Sequence, residues 1–263
     1  MVATALEWQD DVADLEVKFI ADLCGALARG EVGFALPPLT RQVALTVGTD
    51  EFYHAYAARE FALQLAEVTG LGRATTEEVD YNLGGALAYV RQHVDKRYLR
   101  EAEIVALCFA ENFVTGELLG FSRNDEPPTV FQKVSSEHLL DESRHQQYFT
   151  ILLRHIWRNA DQKCLEAVSA VLPGFLDAFL LDSSGWMARQ KRLLKHIGFE
   201  EAEAMTVLDE TIRKLSANRP SNKYQSKFAA NSMRLIGVAG LDRHAATRDS
   251  LMRGGWLPER PQA

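Results

Sequence analysis

The sequence predicts an all-α protein, and three observations carry that prediction. Apolar residues recur every three or four positions through nine stretches. No stretch alternates apolar and polar residues long enough to build a sheet. The breaks between stretches hold the residues that end helices.

In chain order the predicted helices cover about 4–29, 49–70, 75–96, 99–122, 128–158, 161–182, 185–196, 200–216 and 222–239. A proline pair in "ALPPLT" (35–40) precedes the second, and "GLGR" (70–73) turns the chain after it. Another proline pair, in "RNDEPPT" (123–129), separates the fourth and fifth. "DSSG" (182–185) offers a new N-cap for the seventh. The tail "GGWLPERPQA" reads as an irregular end. No low-complexity linker divides the 263 residues, so one large domain is expected.

Composition excludes several functions. The net charge is −7, and Lys and Arg are scattered, so there is no footprint for a nucleic-acid backbone. Cys24, Cys108 and Cys164 lie far apart, form no C-x-x-C pair and suit core thiols kept reduced in a cytoplasm. Acidic residues at the start argue against a secretory leader. Pro173 and Asp177 interrupt the most apolar stretch, so no membrane association is expected.

The chemistry concentrates in "SSEHLLDESRHQQYF" (135–149), where His138, Glu142 and His145 stand at i, i+4 and i+7 on one helix face. Phe131, Val134, Phe149 and Leu152 lie on or near that face, which marks it as core-facing. Burying a carboxylate and two imidazoles costs several kcal/mol unless they are paired or hold a metal. Upstream, "TDEFYHAYAAREF" (49–61) places Glu51 and His54 at the same spacing, and Asp50 and Asp141 directly precede the two glutamates. With 21 Glu and 7 His in the chain, roughly half an E-x-x-H match arises by chance. Two D-E-x-x-H matches on two helices are a far more specific signal.

A carboxylate-bridged two-metal site needs one further Glu from each of two more helices. Glu16 qualifies, with Val12, Ala13, Phe19 and Ile20 as its helical neighbours. Glu111 qualifies among Leu107, Cys108, Val114 and Thr115. The order becomes E…E-x-x-H twice, an internal pseudo-repeat with intervals of 35 and 31 residues. Four carboxylates and three imidazoles, without a thiolate, suit iron or manganese, and the acids balance two divalent charges. Asp50 and Asp141 are the expected acceptors for the imidazole N–H groups, crosswise: Asp50 with His145 and Asp141 with His54.

The doubled "E…DExxH" frame, with His138 added four residues before the second Glu, resembles the p-aminobenzoate N-oxygenase family of non-haem di-iron oxygenases. The resemblance covers roughly residues 10–160. It implies a ferritin-like helical bundle core at about 10–160, with additional helices at about 161–255, within one di-metal oxygenase domain spanning 1–263. It implies Glu16, Glu51, His54, Glu111, His138, Glu142 and His145 as metal ligands, acting catalytically through two Fe ions, with Mn as the other metal the donors suit. It further implies O2 as co-substrate, an amine oxidised through hydroxylamine and nitroso stages toward nitro, and a homodimer. An external electron donor, a reductase or a chemical reductant, is expected because no flavin, haem or iron–sulfur motif is present.

Two other readings stand beside this one. A di-iron C–H hydroxylase or desaturase of a small or carrier-bound substrate would use the same donors. A ferritin-like iron handler without oxygenase activity would need fewer than the roughly 100 residues that follow the last ligand. Arg144 is read as a partner for Asp50 or Glu137, or as a surface ion pair. Tyr53, Tyr56, Tyr148 and Phe149 are read mainly as packing, and His93, His155, His196 and His244 as structural or exposed.

Overall fold

The computed structural model describes residues 2–71, 82–122, 129–217 and 222–259. The described chain is helical, and no strand occurs among the described residues. The proline-pair segment at 123–128, and the side chains of Val114, Thr115, Phe131 and Val134, lie outside the described residues.

The first helical segment is α1 (Val2–Leu15), a π-helical turn (Glu16–Ala21) and α2 (Asp22–Arg29), which follow one another without a break. It stops at Gly30, whose φ of 75° is the left-handed conformation favoured at a helix end. α3 (Pro38–Thr69) starts eleven residues before the predicted 49, because Pro38 occupies the first helical position, where a missing N–H costs nothing. It ends at Gly70, φ 68°, in the predicted turn.

α4 (Asn82–His93), α5 (Leu99–Ser122), α6 (Thr129–Asn159) and α7 (Gln162–Leu180) follow closely the predicted boundaries where these are described. So do α8 (Ser184–His196) and α9 (Glu201–Ala217). The cap before α8 comes from Asp182, whose carboxylate accepts the Ser184 N–H at 2.8 Å.

One expectation fails at the C-terminus, and one helix there was not predicted. The helix expected over 222–239 is two short 3₁₀ turns followed by α10 (Ala230–Ala239). Beyond it lies α11 (Ala245–Arg253), capped by His244, which the apolar period does not predict, and the tail at 254–259 is irregular as expected. Trp256 in the tail is fully buried, and its indole N–H donates to Pro173 O at 3.2 Å. Glycines and charges dilute the apolar period there, while one large aromatic supplies the burial.

The apolar interruption at Pro173 and Asp177 also gave too strict an expectation. Gln162–His196 is long and apolar enough, by length and composition, to cross a membrane. More than half of its most apolar window is buried inside the protein, where Val168, Leu172, Phe175 and Leu176 join the core.

α5 is the axis of the molecule. Every residue from Glu101 to Asn112 is buried, so this helix is covered on all sides. α6 runs along it, α4 and α7 pack together beside it, and α3 packs on α1 and α2. Ala13, Ala55 and Ala58 form the α1–α3 contact, and their small side chains let the two backbones approach closely. Gly48 does the same for α2 and α3, since a Cβ there would stand 3.4 Å from Cys24 Cβ. α10 rests on α5 and α6, and α11 on α7.

Candidate metal centre

All seven residues picked from the two motifs and their partner helices meet in one buried site. Six are buried to 5% exposure or less, and the His138 side chain is 12% exposed. α3 supplies Glu51 and His54, α5 supplies Glu111, and α6 supplies His138, Glu142 and His145. Glu16 opens the π turn of the first helical segment. Such turns occur frequently at functional sites, and nothing in the apolar period of the sequence announces this one.

The donors fall into two adjacent groups. Glu16, His54 and His138 form one; Glu51, Glu111, Glu142 and His145 form the other, with ligand atoms within 4.8 Å of one another inside each group. Two glutamates connect them. Glu142 Oε1 lies 3.3 Å from His145 Nδ1, 3.6 Å from His54 Nδ1 and 3.2 Å from His138 Nε2. Glu51 places Oε1 2.8 Å from His145 Nδ1 and Oε2 3.8 Å from His54 Nδ1. His138 Nε2 also stands 3.2 Å from Glu16 Oε1, so His138 joins Glu16 and His54 rather than His145.

The outer edges of two imidazoles are fixed by the residues that precede the glutamates. His54 Nε2 meets Asp141 Oδ2 at 3.1 Å, and His145 Nε2 meets Asp50 Oδ2 at 3.1 Å. Each aspartate thus serves the histidine of the other motif. With Nε2–H donating outward, the Nδ1 lone pair of each ring points into the site. Arg144 binds the Asp141 carboxylate closely and reaches to 3.8 Å from Asp50, while Glu137 is not its partner among these contacts.

The site tests well for metal. Both oxygens of the fully buried Glu51, Glu16 Oε2, and the Nδ1 atoms of His54 and His145 make no hydrogen bond. Buried polar atoms left this way cost about 1–3 kcal/mol each, so a set of them pointing at one another needs a common partner. Hard oxygen donors and imidazole nitrogens, without sulfur, fit two divalent iron or manganese ions.

The electrostatics of the metal-free site agree. Burial pushes the Glu16 carboxyl up to about 7, against the opposing pull of His138. Burial, then the neighbouring Glu142 and Glu51, hold Glu111 well above the carboxylate range. Burial disfavours the imidazolium of His145, yet its contacts with Glu142 and Glu51 outweigh this and raise it to about 11. His138 rises to about 10 because Glu142 and Glu16 likewise outweigh burial. Glu142 is held below the usual range: burial is overcome by His138 and His145. Without metal, protons are the counter-charges of this cluster.

The remaining candidates are placed elsewhere. Tyr53 and Tyr56 are exposed, whereas Phe149 is fully buried and Tyr148 is packed with its hydroxyl donating to Thr40 O at 3.1 Å. His93 and His155 bind backbone carbonyls, and His244 caps α11. The C-terminal helices contribute none of the seven donors; α8 reaches the first helix through a close Arg189–Asp11 ion pair.

The family model described as P-aminobenzoate N-oxygenase AurF matches residues 23–215, well over half of the chain. That span contains six of the seven donors, and Glu16 precedes it. No curated protein matches the chain.

Proposed function

The chain belongs to the p-aminobenzoate N-oxygenase family, and from that premise we propose that it binds two iron ions and uses O2 to N-oxygenate a small amine. The observation that carries this reading is the pair of adjacent donor groups connected by Glu51 and Glu142. When bound, the metal pair supplies the site and electrons for O2 activation. The first oxidation balances as amine, O2, two electrons and two protons giving hydroxylamine and water, so an external reductant is required.

The protein's own residues do the rest. Glu16, His54 and His138 would hold one metal, and Glu51, Glu111, Glu142 and His145 the other. Asp141 and Asp50 fix the imidazole orientations. The packed faces of α3, α5 and α6 keep bulk water from the carboxylates, which strengthens every charge interaction among them. Two divalent cations would take the place of the protons held by these donors, which would leave to solvent on loading.

The test is direct. Protein expressed with ample iron should carry about two metal equivalents, and the reduced protein should convert members of an aryl and alkyl amine panel. Mass spectrometry should find the oxygen of 18O2 in hydroxylamine, nitroso or nitro products. Two bound irons with oxidation only at carbon would overturn the N-oxygenase reading; less than half an equivalent of metal would overturn the site.

A further inference from the structure

Glu16 is the one donor that the first helical segment supplies, and the chain is held differently on its two sides. The buried apolar residues by which this segment joins the main core, Ile20, Leu23, Cys24 and Leu27, all follow Glu16. Before it, Ala13 forms a small separate cluster with Ala55 and Ala58 of α3. The π turn Glu16–Ala21 stands at the border between the lightly packed α1 and the core-bound α2.

A second contact holds α1 from behind. At about 100° per residue, Asp11 lies about 140° around the helix from Glu16 and about 160° from Ala13, so it is on the face turned away from α3. It is nevertheless only 3% exposed, and there it pairs closely with Arg189 of α8. Removing one partner of a buried ion pair is strongly unfavourable, so this contact resists separation. Arg59 of α3 also reaches Asp14, at 2.6 Å, but its side chain is 56% exposed, where an ion pair contributes little. α8 is itself fixed: Leu193 is buried, the helix touches α4, and only residues 181–183 separate it from the core helix α7.

We propose that Arg189 is a positioning residue for the metal centre. By clamping Asp11 it holds α1 between α3 and α8, and with α1 it holds Glu16 Oε1 at 3.2 Å from His138 and 4.0 Å from His54. Without the clamp, α1 moves at the π turn and carries Glu16 out of its group. Glu51, Glu111, Glu142 and His145 stay in place, because α3, α5 and α6 carry them. The inference rests on the two-metal reading above and adds to it a residue outside the seven donors.

Amide hydrogen exchange of the metal-free full chain reads the clamp itself. Arg189→Met should speed exchange across α1 about tenfold and leave α5 unchanged. Mn(II) titration followed by electron paramagnetic resonance reads the consequence: the same variant should weaken the Glu16–His54–His138 group about tenfold and keep the other within about threefold. Asp11→Asn should reproduce both changes, and Asp11→Asn/Arg189→Met should be no worse than either single variant, since both remove one interaction. Arg189→Lys, which keeps the charge, should recover most of the loss. A residue that only stabilised the fold would loosen both donor groups together.

Unchanged α1 exchange in both Arg189→Met and Asp11→Asn would overturn the clamp whatever the metals do. Faster exchange with the first group's affinity kept, or with both groups weakened alike, would overturn the positioning of Glu16. A wild type that binds less than half an equivalent of Mn(II) would instead sink the two-metal reading, and α1 exchange would then decide the clamp by itself.

Discussion

Asp141→Asn and Asp50→Asn separate the two halves of the metal centre. Each aspartate accepts the Nε2–H of one histidine at 3.1 Å, and each of those histidines faces a different donor group. A hydrogen bond to a charged acceptor contributes about 1.5–3 kcal/mol, and the asparagine oxygen restores part of it. The net loss is of the size found for residues that orient metal-bound histidines, about 10–100-fold in affinity, or roughly 1.4–2.7 kcal/mol. Both variants should fall in this range, since the Arg144 that binds Asp141 is 63% exposed and adds little.

Arg144→Ala should move affinity less than about threefold, since its side chain is 63% exposed and screened by water. Mn(II) titration followed by electron paramagnetic resonance resolves the two sites. Asp141→Asn should weaken the Glu16–His54–His138 site and leave the other within about threefold, and Asp50→Asn should do the reverse. If both variants weaken the same site, or neither changes affinity, the crosswise assignment of the histidines is wrong.

Three further outcomes are expected. Glu111→Leu removes a carboxyl that burial drives toward protonation, so the metal-free variant should melt above the metal-free wild type while losing one of two metal equivalents; an unchanged stoichiometry would place the second metal elsewhere. His138 and His145 are protonated at pH 7 in the metal-free site, at about 10 and 11, so loading should release close to two protons or more per chain. Calorimetry in buffers of different ionisation enthalpy measures that release, and a value near zero would contradict the cluster's charge balance. Trp256→Ala empties a fully buried site against α7 and should cost about 3–5 kcal/mol in urea unfolding, where a loss under 1 kcal/mol would show the tail to be dispensable.

Much of the centre was legible because a carboxylate cannot sit on an apolar helix stripe without a reason. Glu16 and Glu111 were found that way, from neighbours such as Ala13, Ile20, Leu107 and Cys108, all of which are buried. The E-x-x-H spacing fixes which side chains share a helix face, and the D-E dipeptides put an acid near each motif, while the approach of α3 and α6 sets Asp50 on His145 and Asp141 on His54. The helix order followed from the same periodicity, and the family followed from the frame it created.

Tertiary structure decided what periodicity cannot encode. A period of 3.6 residues describes an ideal helix, so the π turn at Glu16–Ala21 leaves no trace in the apolar pattern. Spacing on α6 puts His138 one turn from Glu142, yet only the approach of the first helix on α3 gives it Glu16 and His54 as companions. α11 and Trp256 escaped because one buried indole, held by the Pro173 carbonyl, replaces the repeating stripe that a sequence would display. A sequence states which faces are apolar; which face meets which is set by close approach between helices, and at α1–α3 that approach rests on Ala13, Ala55 and Ala58.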